Sequence, residues 1–419
     1  MVAGAGLHRS SGPRAFVPQR RASVQRPGRA ARTLCPHACK ACRNRERLNM
    51  TTSHFVLIGL ITAALALRAM VAFYYRDKQR VLRLLRLVPR LADRKEHYYR
   101  PLDGWFAPLP FIWTWLDIVA AVLLASLYSS PLAWLMVVLW SGGRLRALQE
   151  FGHNAVHFAL CPNHEWQWWL SNAFYQFPAF KRDMRSRHKT HTLEHHRNPN
   201  HPSLDPNRAR VHAGGYVAGI SAGRFYGLLL YPLTPRGAWV NLVTMARSSL
   251  LNHSHLTTAV RLTCLLAVAA LLYWAGGWKG VMFAWLVPLL TSYPLFAWVS
   301  LLTEHRWFVE GTSTDRRDLE YLAGRPTDYF GLTGWLIRVF IAPTSDAYHL
   351  AHSLYPGVRW NYLPAIDRHL KIHEPRYSSN ASEGLLLRRG SAPTALSELY
   401  ERLVSTGHPE TTLKTRGSV

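Results

Sequence analysis

The chain has 419 residues, with 50 Lys and Arg against 24 Asp and Glu and a formal net charge of +26. A content of 48% hydrophobic and 12% aromatic residues excludes a disordered chain, and five Cys without a regular framework exclude a disulfide-stapled module. Such a charge would suit nucleic acid, but apolar runs of spanning length point to a membrane instead, and no nucleic-acid partner is expected.

Residues 1–49 carry 11 basic groups and one acid, Glu46, with little periodicity. They have the composition of a transit peptide. Cys35, Cys39 and Cys42 have the spacing of a radical-SAM iron–sulfur motif, but such enzymes need a soluble β/α barrel after it, and here an apolar run follows. That run, Phe55–Tyr75, contains one charge, Arg68. Residues 76–100 then hold nine basic groups against three acidic ones. Within them Arg80, Arg83, Arg86 and Arg90 recur at helical spacing among Leu82, Leu85 and Leu87, the pattern of an interfacial amphipathic helix. If the apolar run spans and residues 76–100 are cytoplasmic, the basic tail would have to cross the membrane. A start at Met50 removes that conflict, so residues 1–49 read as a basic extension with Met50 as the alternative start, and 50–104 as a membrane helix plus a basic interfacial segment.

Two helical hairpins follow. Phe111–Tyr128, with Asp117 as its one charge, and Pro131–Trp140 are separated by Ser129 and Ser130. Thr257–Trp274, with Arg261 near its start, and Val281–Leu302 repeat the arrangement around residues 276–280. Each approaches the roughly 20 apolar residues that cross a bilayer; the run after Pro131 is the weakest, because Arg144 cuts it short. The hairpin tips are nearly uncharged, whereas the segments between them are basic. The positive-inside rule therefore places the tips outside, and the remainder, C-terminus included, in the cytoplasm. The aromatic run Trp166–Phe180 is too short to span and reads as re-entrant or interfacial; so does Tyr216–Leu233. Residues 376–419 read as a polar tail with one amphipathic helix near Ala395–Leu403. The expected fold is an all-α integral membrane protein, two transmembrane hairpins with a cytoplasmic helical cap.

Histidine spacing carries the chemistry. His153 and His157 form an i, i+4 pair on one helical face. His191, His195 and His196 place two rings on one stripe and one beside it. His305 follows the second hairpin, and His349 and His352 form an i, i+3 pair. Every cluster lies beyond the same end of a helix pair, so all can meet at one depth. Neutral imidazole suits iron, zinc, copper and nickel, and eight rings exceed what one ion can hold. Zinc-protease chemistry is disfavoured, since Asn154 stands where a His-Glu-x-x-His motif would put its base. A His-rich metal transporter would need polar residues inside the spans; the only charges there are Asp117, Arg68 and Arg261.

These motifs resemble those of the membrane fatty acid desaturases, the histidine-box di-iron desaturases and hydroxylases, over roughly residues 105–375. The boxes are Gly152–His157, His191–His196 and Tyr348–Val358, with Glu304 and His305 as the singlet between them and Trp360–Pro364 as the tail of the third. The resemblance implies a di-iron centre on His153, His157, His191, His195, His196, His305, His349 and His352, with O2 as co-substrate. It implies desaturation of a fatty acyl chain or related lipid; hydroxylation, or a non-fatty substrate, is the alternative on the same scaffold. One position departs: Ser353 stands where the family usually has a further His, and His188 or Asp346 is the nearest replacement. Asn154, Glu194, Asn198, Asn200, Asp205 and Glu304 are candidates to hold the rings from behind. Trp166, Trp168, Trp169, Phe174, Tyr175, Phe177 and Phe180 are candidate channel lining. The chain has neither a Gly-x-Gly-x-x-Gly fingerprint nor a cytochrome b5 His-Pro-Gly-Gly, so a separate donor of the ferredoxin, rubredoxin or cytochrome b5 type is expected.

Overall fold

A computed structural model describes residues 36–91, 97–250, 254–309, 311, 313–388 and 390–404. Contacts divide the chain into Met1–Met50 and Thr51–Val419, and the second unit is described here. The side chains of Cys35, Cys39 and Cys42 lie outside the described residues.

The fold is mostly helical. Helix α1 (Pro36–Tyr75) includes an apolar stretch, Thr52–Tyr75, long enough to cross a membrane. Leu57, Ala64 and Val71 recur every seven residues and form its one buried stripe. The other faces expose Phe55, Ile58, Leu65 and Phe73, an arrangement stable only in an apolar solvent. Helix α2 (Lys78–Leu91) covers the expected basic amphipathic segment.

Helices α3 (Leu109–Tyr128) and α4 (Pro131–Val156) meet at a two-residue turn. Ser129 takes a left-handed conformation, Ser130 accepts a hydrogen bond from the Ala133 N–H at 3.1 Å, and Pro131 occupies the first helical position. Asp103–Tyr128 is the second stretch able to cross a membrane by length and composition. Asp117 of α3 is not alone there: it pairs with Arg68 of α1 and, at 3.6 Å, with Arg144 of α4. The sequence offered no pairing for Arg68. Three-dimensional packing supplies one, which removes an uncompensated charge from the apolar layer. Arg261 instead donates to the Lys181 carbonyl at 2.9 Å and lies over the Phe177 ring.

The third stretch runs from His255 to Glu304. It comprises α5 (His255–Val281), a widened turn, and α6 (Ser292–Glu304). It is broken at Gly276 and Gly277, whose torsions leave the helical region. Gly277, at φ 59° and ψ −152°, takes a conformation open essentially to glycine alone. A Cβ on Gly276 would lie 2.5 Å from a methyl of Val122, so α5 can approach α3 there only without a side chain. Beyond α6 lie α7 (Gly331–Phe340), α8 (His349–Leu354), α9 (Leu363–His373) and α10 (Ala395–Val404). A two-residue parallel pairing of Thr327–Asp328 with Ser382–Glu383 is the one sheet among the described residues.

Candidate metal centre

All eight predicted histidines converge, and they do so in two groups. Nitrogens of His153, His157, His191, His196 and His352 lie within 4.8 Å of one another, and those of His195, His305 and His349 form a second such group. Seven of the eight are buried; His191 is partly exposed.

Local structure explains the sorting. His153 and His157 sit at the end of α4, their ring centres 5.3 Å apart. The second box lies on a π-helical turn, Lys189–His195, closed by an i→i+5 bond from the His196 N–H to the His191 carbonyl at 3.0 Å. That widening brings His191 edge-on to His196, their rings nearly perpendicular and their Nε2 atoms 3.1 Å apart. It also turns His195 toward the second group, where its Nε2 is 3.2 Å from that of His305. The expected α-helical stripe of His191 and His195 is therefore replaced by a pair at i, i+5. His305 ends α6 in an extended conformation, bridged to Gly324. His349 and His352 diverge from α8: His349 reaches His305 at 3.0 Å and His352 reaches His153 at 3.0 Å.

Three of the opposite ring nitrogens are held by carboxylates. His153 Nδ1 lies 3.0 Å from Glu150, His195 Nδ1 2.8 Å from Asp205, and His196 Nδ1 3.4 Å from Glu320. Such partners fix the proton on Nδ1 and leave the Nε2 lone pair directed into the group. Burial, and then neighbouring imidazoles, push His191, His305 and His349 well below the ordinary histidine range, so these rings are neutral at pH 7. Burial also opposes charge on His195 and Asp205, yet their mutual attraction wins, raising the histidine and lowering the acid.

Lone pairs facing each other across 2.7–3.2 Å repel unless a proton or a cation lies between them. His153 Nε2 faces both His191 and His352, and one nitrogen cannot donate to two acceptors. Two imidazole ligands about 2.1 Å from one ion and at right angles to each other would be about 3.0 Å apart. The donor set thus fits two metal ions.

The replacements considered for Ser353 do not join the three-histidine group. His188 Nδ1 takes the Val156 carbonyl at 2.8 Å, with its ring against Phe158 and Trp168. Asp346 pairs with Arg146 and Ser300, and its nearest approach to His349 Nδ1 is 3.9 Å. Burial and the Glu150 carboxylate push Asp346 up to about 7. A void of about 10 Å³, room for one water, lies against His349, Glu304 and Asp346.

Of the residues expected behind the rings, Asp205 does that work directly. Asn154 ties the first box to the third instead, bonding Ser345 Oγ at 3.1 Å and accepting the Trp360 N–H at 2.9 Å. Asn200 holds the His305 loop through the Phe308 N–H and the Arg306 and Val309 carbonyls. Asn198 bonds the Glu194 carbonyl rather than a ring. Glu304 borders the small void. Sequence reasoning missed Glu150 and Glu320. Glu150 stands three residues before His153, a spacing that could have found it; Glu320, on Arg316–Ala323, is 124 residues from its ring and carried no signal. The expected channel aromatics disperse. Trp166 and Trp169 are exposed, Tyr175 bonds Tyr293 at 2.6 Å, and Phe180 stacks on Trp285.

Comparison with known proteins agrees with this geometry. A family model described as Fatty acid desaturase matches residues 129–379, a span holding all eight histidines. A curated protein of Bradyrhizobium elkanii, "Dihydrorhizobitoxine desaturase", is 26% identical over 311 residues, covering 68% of this chain and 82% of its own length.

Proposed function

The chain belongs to the fatty acid desaturase family, and from that premise we propose that it is a multi-pass membrane oxidoreductase with a di-iron centre, desaturating the alkyl chain of a fatty acyl or related lipid. The observation that carries the reading is the two groups of facing imidazole nitrogens, five and three, with three of the opposite nitrogens engaged by acids. His153, His157, His191, His196 and His352 would hold one iron, and His195, His305 and His349 the other. Two irons there would supply the redox chemistry by which O2, two electrons and two protons remove two hydrogens from adjacent carbons and leave as two waters.

The chain's own residues prepare that site. Glu150, Asp205 and Glu320 fix ring orientation and tautomer. Burial of seven of the rings excludes bulk water. The three-histidine group has a void of about 10 Å³ beside His349, room for one water. Electrons would come from a separate ferredoxin, rubredoxin or cytochrome b5 type carrier, steered by the basic surface of the His-box side. That side, with the C-terminus, would face the cytoplasm. A second substrate class, a non-fatty metabolite, is favoured by the relative whose name gives dihydrorhizobitoxine as what it desaturates.

The test is metal content together with products. Purified protein should hold about two irons per chain. His195→Ala and His196→Ala, one from each group, should each lose iron and abolish turnover while still inserting in the membrane. Zinc in place of iron, or full activity in both variants, would overturn the assignment. Products lacking two hydrogens indicate desaturation; products gaining one oxygen atom indicate hydroxylation.

A further inference from the structure

A second cavity, of about 300 Å³, lies outside the histidine groups, lined by Ala72, Tyr75, Arg76, Arg338, Thr344, Ala347, Tyr348, Trp360, Asn361 and Pro364. It sits where the first apolar stretch ends, since Arg76 is the first residue beyond Thr52–Tyr75. It also abuts the third histidine box, since Tyr348 immediately precedes His349 and the Trp360 N–H is bonded to Asn154 beside His153.

The lining polar groups share one sign. None of the ten residues is acidic, and two are arginines. Among the described residues the Arg76 guanidinium makes no hydrogen bond or ion pair. Arg338 uses only Nη1, donating to the Tyr348 hydroxyl at 2.8 Å, and its remaining donors are unspent. Asn361 accepts from Arg359 through Oδ1, leaving its amide N–H groups. Two cations and the Asn361 amide therefore line a space whose other walls include alanine, proline and aromatic rings. Beside it the exposed face of α1 continues through Phe73 toward the apolar layer.

We propose that this cleft binds the oxyanion head, carboxylate or phosphate, of an amphiphilic substrate whose apolar tail follows α1 into the membrane. The proposal rests on the oxidoreductase reading for the ligand's being the substrate; the oxyanion site itself stands on the lining. Arg338 and Arg76 clamp the charge, the Asn361 amide takes a further lone pair, and Tyr75 and Tyr348 flank the first carbons of the tail. The head is thereby fixed beside the segment that carries His349 and His352.

Binding of tritiated laurate, dodecyl phosphate and methyl laurate should be measured on the iron-loaded full chain in zwitterionic phosphatidylcholine nanodiscs. The three share a chain and differ in the head. At least one of the two anions should bind saturably, tenfold or more tighter than the ester, and the tighter of them identifies the head. Arg76→Gln breaks no side-chain hydrogen bond or ion pair among the described residues, and should weaken that anion about tenfold or more, the effect of one charge-assisted bond, with iron content unchanged. Equal binding of ester and anions, or an Arg76→Gln affinity equal to wild type, would overturn the site while leaving the iron result, on which the oxidoreductase reading depends, intact. In producing cells Arg76→Gln should also lower the desaturated product at least fivefold at equal protein and iron. Unchanged product would overturn the substrate role.

Discussion

His195 and His196 are neighbours in the chain, yet their nitrogens belong to different groups. The residue types and their clustering were legible in the sequence, because metal chemistry restricts which side chains can serve and the boxes are local. Their partition was not, because it depends on a π-helical turn that no residue type announces. The carboxylates behind the rings divide by distance along the chain in the same way. Glu150 and Asp205 lie within ten residues of their histidines, whereas Glu320 arrives through tertiary packing. Asp205 also accepts the Asn200 and Asn207 N–H groups, so it is rigid before it meets His195. Asp205→Asn keeps this shape and can no longer hold the Nδ1 proton by charge. It should weaken metal binding in the three-histidine group about 10- to 100-fold, so that iron per chain falls toward one at limiting iron. Elemental analysis after dialysis against a chelator checks this; full retention of two irons would show that Asp205 has no part in the site.

The singlet His305 depends on elements far from it in sequence. It ends α6, bridges to Gly324, and is followed by Arg306, which with Arg325 and Arg402 surrounds Glu398 of α10. Arg325 also donates to the Thr303 carbonyl at 3.2 Å. The sequence marked α10 by its amphipathic period, but not its task, since the charges it meets come from two distant segments. Burial opposes ionisation of Glu398, and the arginines overcome this and hold it at about 2. The folded value lies below the ordinary glutamate value of 4.5. The associated stability is therefore present above pH 4.5 and is lost as pH falls through about 2. The difference corresponds to about 3 kcal/mol. Denaturation in neutral detergent should show stability declining across that interval in the wild type. Glu398→Gln, which leaves three arginines around a neutral group, should flatten that decline and cost a similar amount at pH 7. An identical pH profile in the variant would show that the clasp contributes nothing.

At the scale of the molecule, three stretches among the described residues are long and apolar enough to cross a membrane, fewer than the five segments expected from composition. Two of the expected segments merge into His255–Glu304, interrupted by the torsions at Gly276 and Gly277 and again at Thr291. The apolar part of α4 stops at Arg144, as its sequence indicated. That arginine is nevertheless accommodated, by Asp117 and by the Val339 carbonyl at 2.6 Å. What fixes sidedness is the charge of the connections. Ser129 and Ser130 are uncharged and the Gly276–Gly280 turn carries only Lys279, whereas six basic groups lie between Lys181 and Arg197, around the second box. Moving those six across an apolar layer costs far more than moving one lysine, so both turns should be outside and the histidine groups inside. In a background with the five native Cys replaced by Ser, cysteine placed at Ser129 or Lys279 should react with a membrane-impermeant maleimide in intact cells. Cysteine at Glu383 should react only after permeabilisation. Labelling of Glu383→Cys in intact cells would invert the topology and put the surface facing the electron donor on the wrong side of the membrane for a cytoplasmic carrier.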